Sequence, residues 1–111
     1  MKGHHTYNLT VQWTGNNEQG TSDYHSYQRS HVVLIDNKAD ILCSSEPAFR
    51  GDKTKHNPEE LFVASIATCH MLWFLHLCAD TGTIVLEYID NTTGIMQETE
   101  DGGGNFTEVI L

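Results

Sequence analysis

The chain has 111 residues, enough for one domain and not for two. Its 15 acidic side chains against 6 Lys and Arg give a net charge of -9, which argues against nucleic acid and against anionic membrane surfaces as partners, since both need a basic face. A domain of this size buries only about two-thirds of its unfolded surface, so association with a second copy would stabilise it materially.

The N-terminus, Met-Lys-Gly-His-His, lacks the apolar stretch of a signal peptide. The three cysteines form an odd set without a close C-x-x-C pair. Both features predict a reducing cytoplasmic setting, in which a cysteine that matters is catalytic, redox-active or simply buried. His4 and His5 have no partners at ligand spacing and read as an exposed tail. In chain order, Tyr7 to Trp13 mixes β-branched and aromatic residues with polar ones as a strand does, and Gly15-Asn16-Asn17 turns the chain. His31 to Asp36 is a second strand; Asp36-Asn37-Lys38 is turn chemistry leading into a third strand within residues 39–45. Pro47 and Gly51-Asp52 punctuate a loop that runs to a long helix. Beyond the helix, residues 83–98 read as one long strand or as two strands around a turn at Asn91 to Gly94. Residues 101–104 form a hairpin loop, and Asn105 to Leu111 a last strand, whose edge is either exposed or covered by another subunit. Strands flanking one helix predict an α+β fold, an antiparallel sheet packed on a long central buried helix, as a single domain over 1–111.

The helix draws most attention. Asn57 is a good N-cap, Pro58 suits the first helical position, Glu59 and Glu60 complement the helix dipole, and Gly82 is a natural stop. From Leu61 to Ala79 it has no polar face. The run is barely long enough for a membrane span and contains Ser65, Thr68, His70 and His76, so a core helix is the better reading. One small sheet cannot cover both of its faces, which predicts a symmetry mate on the other side.

On residue types alone, Cys69 in such a helix is more often an apolar filler than a nucleophile. His70 follows it directly and points about 100° away, so adjacency makes no dyad. Cys69 and His76 share a face but lie roughly 10 Å apart along the axis, too far for a zinc pair. Cys69 and Cys78 lie on opposite faces about 13 Å apart along the axis and cannot form a disulfide with each other. Met71, Leu72, Trp73 and Phe74 read as core, with pocket walls as the alternative.

Asn57-Pro58-Glu59 at the head of the helix, with Cys69 ten positions after Glu59, resembles the signature of the OsmC/Ohr family of bacterial thiol peroxidases. Phe49-Arg50-Gly51-Asp52, Cys69-His70-Met71 and the Tyr-x-x-x-x-x-Gly-x-Met run ending at Met96 resemble an OsmC-like branch of it. The resemblance implies a cysteine peroxidase without haem, flavin or metal, acting on organic hydroperoxides. It implies Cys69 as the peroxidatic thiolate, an arginine that activates it, and Glu59 to hold that arginine. Arg29 occupies the Ohr-type position and Arg50 the OsmC-type loop position; the chain has no other arginine. On a continuous helix Glu59 and Cys69 stand about 15 Å apart along the axis. Two antiparallel helices from two subunits would then build each site, which predicts an obligate two-fold, intertwined homodimer. Family members carry a resolving cysteine in a later helix, whereas this chain ends at Leu111. Cys78 cannot replace it within one chain; Cys43 could, if its strand lies beside the helix. Otherwise an external thiol must reduce the sulfenic acid. The competing expectations are a non-catalytic dimeric module binding a small apolar ligand, and a folded dimer without an active site.

Overall fold

The computed structural model describes residues 3–111. The chain divides into two compact units, one ending at Pro58 and the other comprising Glu59–Leu111.

The first unit is a three-stranded antiparallel sheet of β1 (Thr10–Trp13), β2 (His31–Leu34) and β3 (Ile41–Cys43), in the order β1-β2-β3. Trp13 pairs with His31 and His31 with Cys43, so one register runs across the sheet. The long β1–β2 loop is closed at its base by backbone bonds from Thr14 to Ser30 and from Gln28 to Gly15, both 2.9 Å, and by the Trp13 indole N–H on the Gln28 carbonyl at 2.8 Å. The turn expected at Asp36-Asn37-Lys38 forms, with Asn37 left-handed at φ 65 and the Lys38 N–H on the Ile35 carbonyl at 3.1 Å. After β3 the chain makes a 3-10 turn at Pro47–Phe49 and returns along the sheet, where Ser44 and His56 share a backbone bond of 2.8 Å.

The second unit opens with α1 (Pro58–Asp80), 23 residues without interruption. Its end follows from Gly82 at φ 76: the Gly82 N–H reaches the Ala79 carbonyl at 3.3 Å and the Thr83 N–H the Cys78 carbonyl at 2.8 Å, the paired closure of a Schellman motif. β4 (Thr93–Glu98) and β5 (Gly104–Ile110) form an antiparallel hairpin with an irregularity at Ile95/Met96. The hairpin meets the helix through Phe62 and Phe106, ring centroids 4.7 Å apart, and Tyr88 meets Phe74 at 5.7 Å. Gly94 lies so close to the helix that a Cβ there would sit 2.4 Å from Val63 Cγ2.

Three expectations need correction. Residues 83–92 pair with no strand among the described residues, so the long strand read over 83–98 reduces to Thr93–Glu98; alternation marks a chain that can pair, but a strand needs a neighbour, and here Ile84 and Leu86 stand 84% and 93% exposed. The strands form two sheets rather than one. The helix is apolar all round but not buried within one chain: no residue of α1 is buried, because a two-stranded sheet is too small to cover it. The one buried apolar residue among those described is Cys43. By length and composition α1 also passes as a membrane-crossing helix.

Candidate functional site

In the second unit the unbroken helix carries Glu59 in its first turn and Cys69 ten positions on, so the two stay about 15 Å apart along the axis within one chain. Cys69 is exposed and free. Glu59 is half-buried, and its Oε2 is fully enclosed without a hydrogen-bond partner. An enclosed carboxylate oxygen without a donor is costly, and the natural remedy is a cation. Residues 59–111 contain no Lys or Arg, so none of their side chains supplies one. Asp90 Oδ2 is enclosed and unpartnered in the same way, a feature that the sequence did not reveal. Further along α1, the His76 ring stands edge-on to Trp73 at 5.6 Å and contacts Asp80 at 3.3 Å. Leu72, Trp73 and His76 line a shallow, mostly apolar groove of about 230 Å³.

Both arginines lie in the first unit, where they line one cavity of about 190 Å³ together with Gln28, Ser30, Ser44, Gly51 and Asp52. Their circumstances differ. Arg29 is held by its own neighbours: one guanidinium nitrogen donates to the Tyr27 carbonyl at 2.7 Å and another to the Tyr24 carbonyl at 2.8 Å. The guanidinium carbon also lies 4.3 Å and 3.9 Å from the Tyr24 and Tyr27 ring centroids. Arg50 is exposed, and its guanidinium has no hydrogen bond or ion pair among the described residues. Its backbone is left-handed, φ 63 and ψ 29, capping the 3-10 turn through its N–H on the Pro47 carbonyl at 3.1 Å. A non-glycine residue in that region costs of order 1 kcal/mol and persists only where the surroundings enforce it. Next to Arg50, Gly51 packs so closely on the Ser45 carbonyl that a Cβ there would clash with it.

The rest of the loop is bonded to itself. Ser44 Oγ accepts the Asp52 N–H at 3.0 Å, Ser45 Oγ donates to the Phe49 carbonyl at 3.1 Å, and Asp52 Oδ1 accepts the Thr54 N–H at 2.9 Å and its hydroxyl at 2.6 Å. The Thr54 hydroxyl, helped by its N–H, holds the Asp52 carboxyl below its usual range. Sequence reasoning named both arginines but missed Ser30 and Ser44, whose only signal was their adjacency to Arg29 and Cys43; Asp52 stood in the Phe49–Asp52 run without a role of its own. Cys43 is fully buried, and desolvation pushes its thiol up, an environment opposite to that of a ready nucleophile. Among the described residues no three His, Cys, Asp or Glu side chains gather as metal ligands.

No protein-family model matches the chain, and no curated protein does. Among solved structures, the fold matches an OsmC-like protein of unknown function from Vibrio cholerae O1 biovar eltor, with a TM-score of 0.82 and 30% sequence identity. The match covers 96% of this chain and 71% of that one. A likeness of this extent in both sequence and fold carries the family with it: the chain belongs to the OsmC-like family.

Proposed function

We propose that the protein is a cytoplasmic, thiol-dependent hydroperoxide reductase that works as a two-fold homodimer. The observation that carries the reading is an exposed Cys69 on the same continuous helix as Glu59, whose enclosed oxygen lacks the cation it calls for. The Cys69 thiolate attacks the distal oxygen of an organic hydroperoxide. The O–O bond breaks, the alkoxide leaves and takes a proton to become the alcohol, and the cysteine is oxidised to a sulfenic acid. A first external thiol displaces water to form a mixed disulfide; a second releases the Cys69 thiol and leaves as the external disulfide. Arg29 or Arg50 stabilises the thiolate and polarises the peroxide, and Glu59 fixes that arginine through a charge-assisted bond. Cys43, buried and protonated, is a poor resolving thiol, which favours the external reductant.

The dimer follows from the helix. Antiparallel helices related by a two-fold axis near Ala64, midway between Glu59 and Cys69, bring Glu59 of one copy beside Cys69 of the other. On the face that Glu59 and Cys69 share, Phe62 and Ile66 lie level with that axis and would meet their counterparts. The test uses cumene hydroperoxide with dithiothreitol. Wild type should consume peroxide, and Cys69→Ser and Glu59→Gln should each lose nearly all activity. Unfolded and refolded together, the two variants should recover about a quarter of the wild-type rate, since half the dimers are mixed and each holds one intact site. Absence of peroxide consumption by wild type sinks the reading, and absence of recovery sinks the shared site. The groove at Leu72, Trp73 and His76 favours a second reading, a non-catalytic module for a small apolar ligand. Wild type that binds such a ligand and consumes no peroxide would select it.

A further inference from the structure

The arginine cavity has properties that activation of a thiol does not require. Of the two buried polar side chains among the described residues, Ser30 and Ser44, both line it, with exposures of 7% and 1%. Each hydroxyl oxygen already accepts a bond, Ser30 from Lys55 Nζ at 2.9 Å and Ser44 from the Asp52 N–H at 3.0 Å. Neither hydroxyl proton is spent in a bond among the described residues. A buried hydroxyl that only accepts has its donor left over, and an unspent buried donor is costly unless something fills the space in front of it. The Arg50 guanidinium adds its full set of donors, and Arg29 those that its two carbonyls leave unused. The cavity therefore presents donors from four side chains. One oxygen of the competing carboxylate, Asp52 Oδ1, is taken by Thr54.

Charge and size narrow the ligand. Arg29 and Arg50 in the lining, with the Lys55 ammonium on Ser30, outweigh Asp52, so the cavity favours an anion. A volume near 190 Å³ is about six times the 30 Å³ share of a water molecule, more than a bare ion fills and room for an acid of a few carbons. The setting sharpens the contrast, because every Lys and Arg of this acidic chain precedes Glu59. An anion repelled by the rest of the molecule finds its attraction here.

We propose that this cavity is a binding site for a small organic monocarboxylate, whose oxygens take bonds from the Arg50 guanidinium and the Ser30 and Ser44 hydroxyls while Arg29, held against Tyr24 and Tyr27, supplies fixed positive charge. The proposal goes beyond the peroxidase reading and does not depend on Cys69. A carboxylate is planar and its two oxygens suit a guanidinium fork, which explains an arginine at position 50 despite its left-handed backbone.

The test is calorimetric titration of the Cys69→Ser protein with hexanoate, 1-hexanol and inorganic phosphate, so that thiol chemistry plays no part. Hexanoate should bind saturably, at least about tenfold more tightly than hexanol or phosphate. Arg50→Gly relieves the left-handed strain, so it should unfold at an unchanged or higher temperature and yet bind hexanoate at least about tenfold more weakly. Ser30→Ala gives a second reading at a position without that strain and should weaken hexanoate alone. Equal binding of hexanol overturns the proposal, because the cavity would then be recognising the alkyl chain. So does tighter binding of phosphate, or unchanged hexanoate affinity in both variants. If wild-type background takes up no hexanoate but Glu59→Gln does, a carboxylate of the protein itself fills the cavity, and no external acid is its ligand.

Discussion

Substituting Gly51 by alanine tests the loop that carries Arg50. The added Cβ would stand 1.6 Å from the Ser45 carbonyl oxygen, 2.2 Å from its carbon and 2.8 Å from the Glu46 oxygen, where real Cβ contacts essentially never fall below 3.0 Å. The Ser45–Glu46 backbone must therefore retreat by more than an ångström. No flexible side-chain end can give way instead, because every atom encountered is main chain. That retreat pulls the Glu46 carbonyl from the Phe49 N–H at 2.8 Å and from the residue 51 N–H at 3.1 Å. Two weakened backbone bonds at about 1 kcal/mol each, with about 1–3 kcal/mol for the overpacking, give a loss of roughly 3–5 kcal/mol. For a chain of this length the melting temperature should fall by more than about 12 °C. The assay is urea unfolding at a fixed protomer concentration, compared with Gly3→Ala, where a Cβ meets nothing within 4 Å. A Gly51→Ala protein within about 0.5 kcal/mol of that control would refute the account of the loop.

Gly94→Ala should cost about 1–3 kcal/mol by driving a Cβ into Val63 Cγ2, and adding Val63→Ala should recover part of that loss; a double variant no better than the single one would place the cost elsewhere. Thr54→Val removes the hydroxyl bond, the larger of the two by which Thr54 holds the Asp52 carboxyl below its usual range, and leaves the backbone N–H bond in place. A depressed folded value means stability fully present above the unfolded carboxylate range and lost as pH falls through the folded value, so the penalty of Thr54→Val should be complete near neutrality and shrink in acid; a penalty independent of pH contradicts this. Iodoacetamide mass mapping at neutral pH should find Cys69 modified well before Cys43, which is buried with its thiol pushed up by desolvation. Equal labelling of the two in the folded protein would show that the β3 edge opens freely.

What the sequence revealed was local. Pro58, the paired glutamates and Gly82 bracketed a helix that runs from Pro58 to Asp80, because capping chemistry acts within a turn of the residues that supply it. The same holds for the turn at Asn37. What it concealed was pairing over distance. Residues 83–92 have the alternation of a strand but no strand partner among the described residues, and no local pattern records whether a neighbour exists. Arg29 and Arg50 were legible singly, through resemblance. Their meeting in one cavity depends on how β2 and the loop after β3 fold together, across a separation that no motif spans. The burial of Ser30 and Ser44 is likewise a tertiary fact, since serine next to a strand is ordinary in sequence and unusual only once enclosed.

The isolated chain leaves a problem that the proposed dimer addresses and a membrane does not. A bilayer could cover Phe62, Leu72, Trp73 and Leu77 on α1, but the exposed apolar residues also include Val11, Leu42, Ile84, Leu86, Ile89 and Ile110, on strands and unpaired chain in both units. The backbone groups of residues 83–92, free of any ladder, would be especially costly in hydrocarbon. A second polypeptide can do both tasks, taking up the apolar side chains and completing the open strand pairing. The proposed antiparallel helix pairing accounts for α1, and the span from Thr83 to Thr92 is the stretch on which an intertwined partner strand should be sought. Amide exchange provides the measurement: those amides should gain protection in step with dimer formation as protein concentration rises. Protection in α1 alone would mean that the helices pair without the strands.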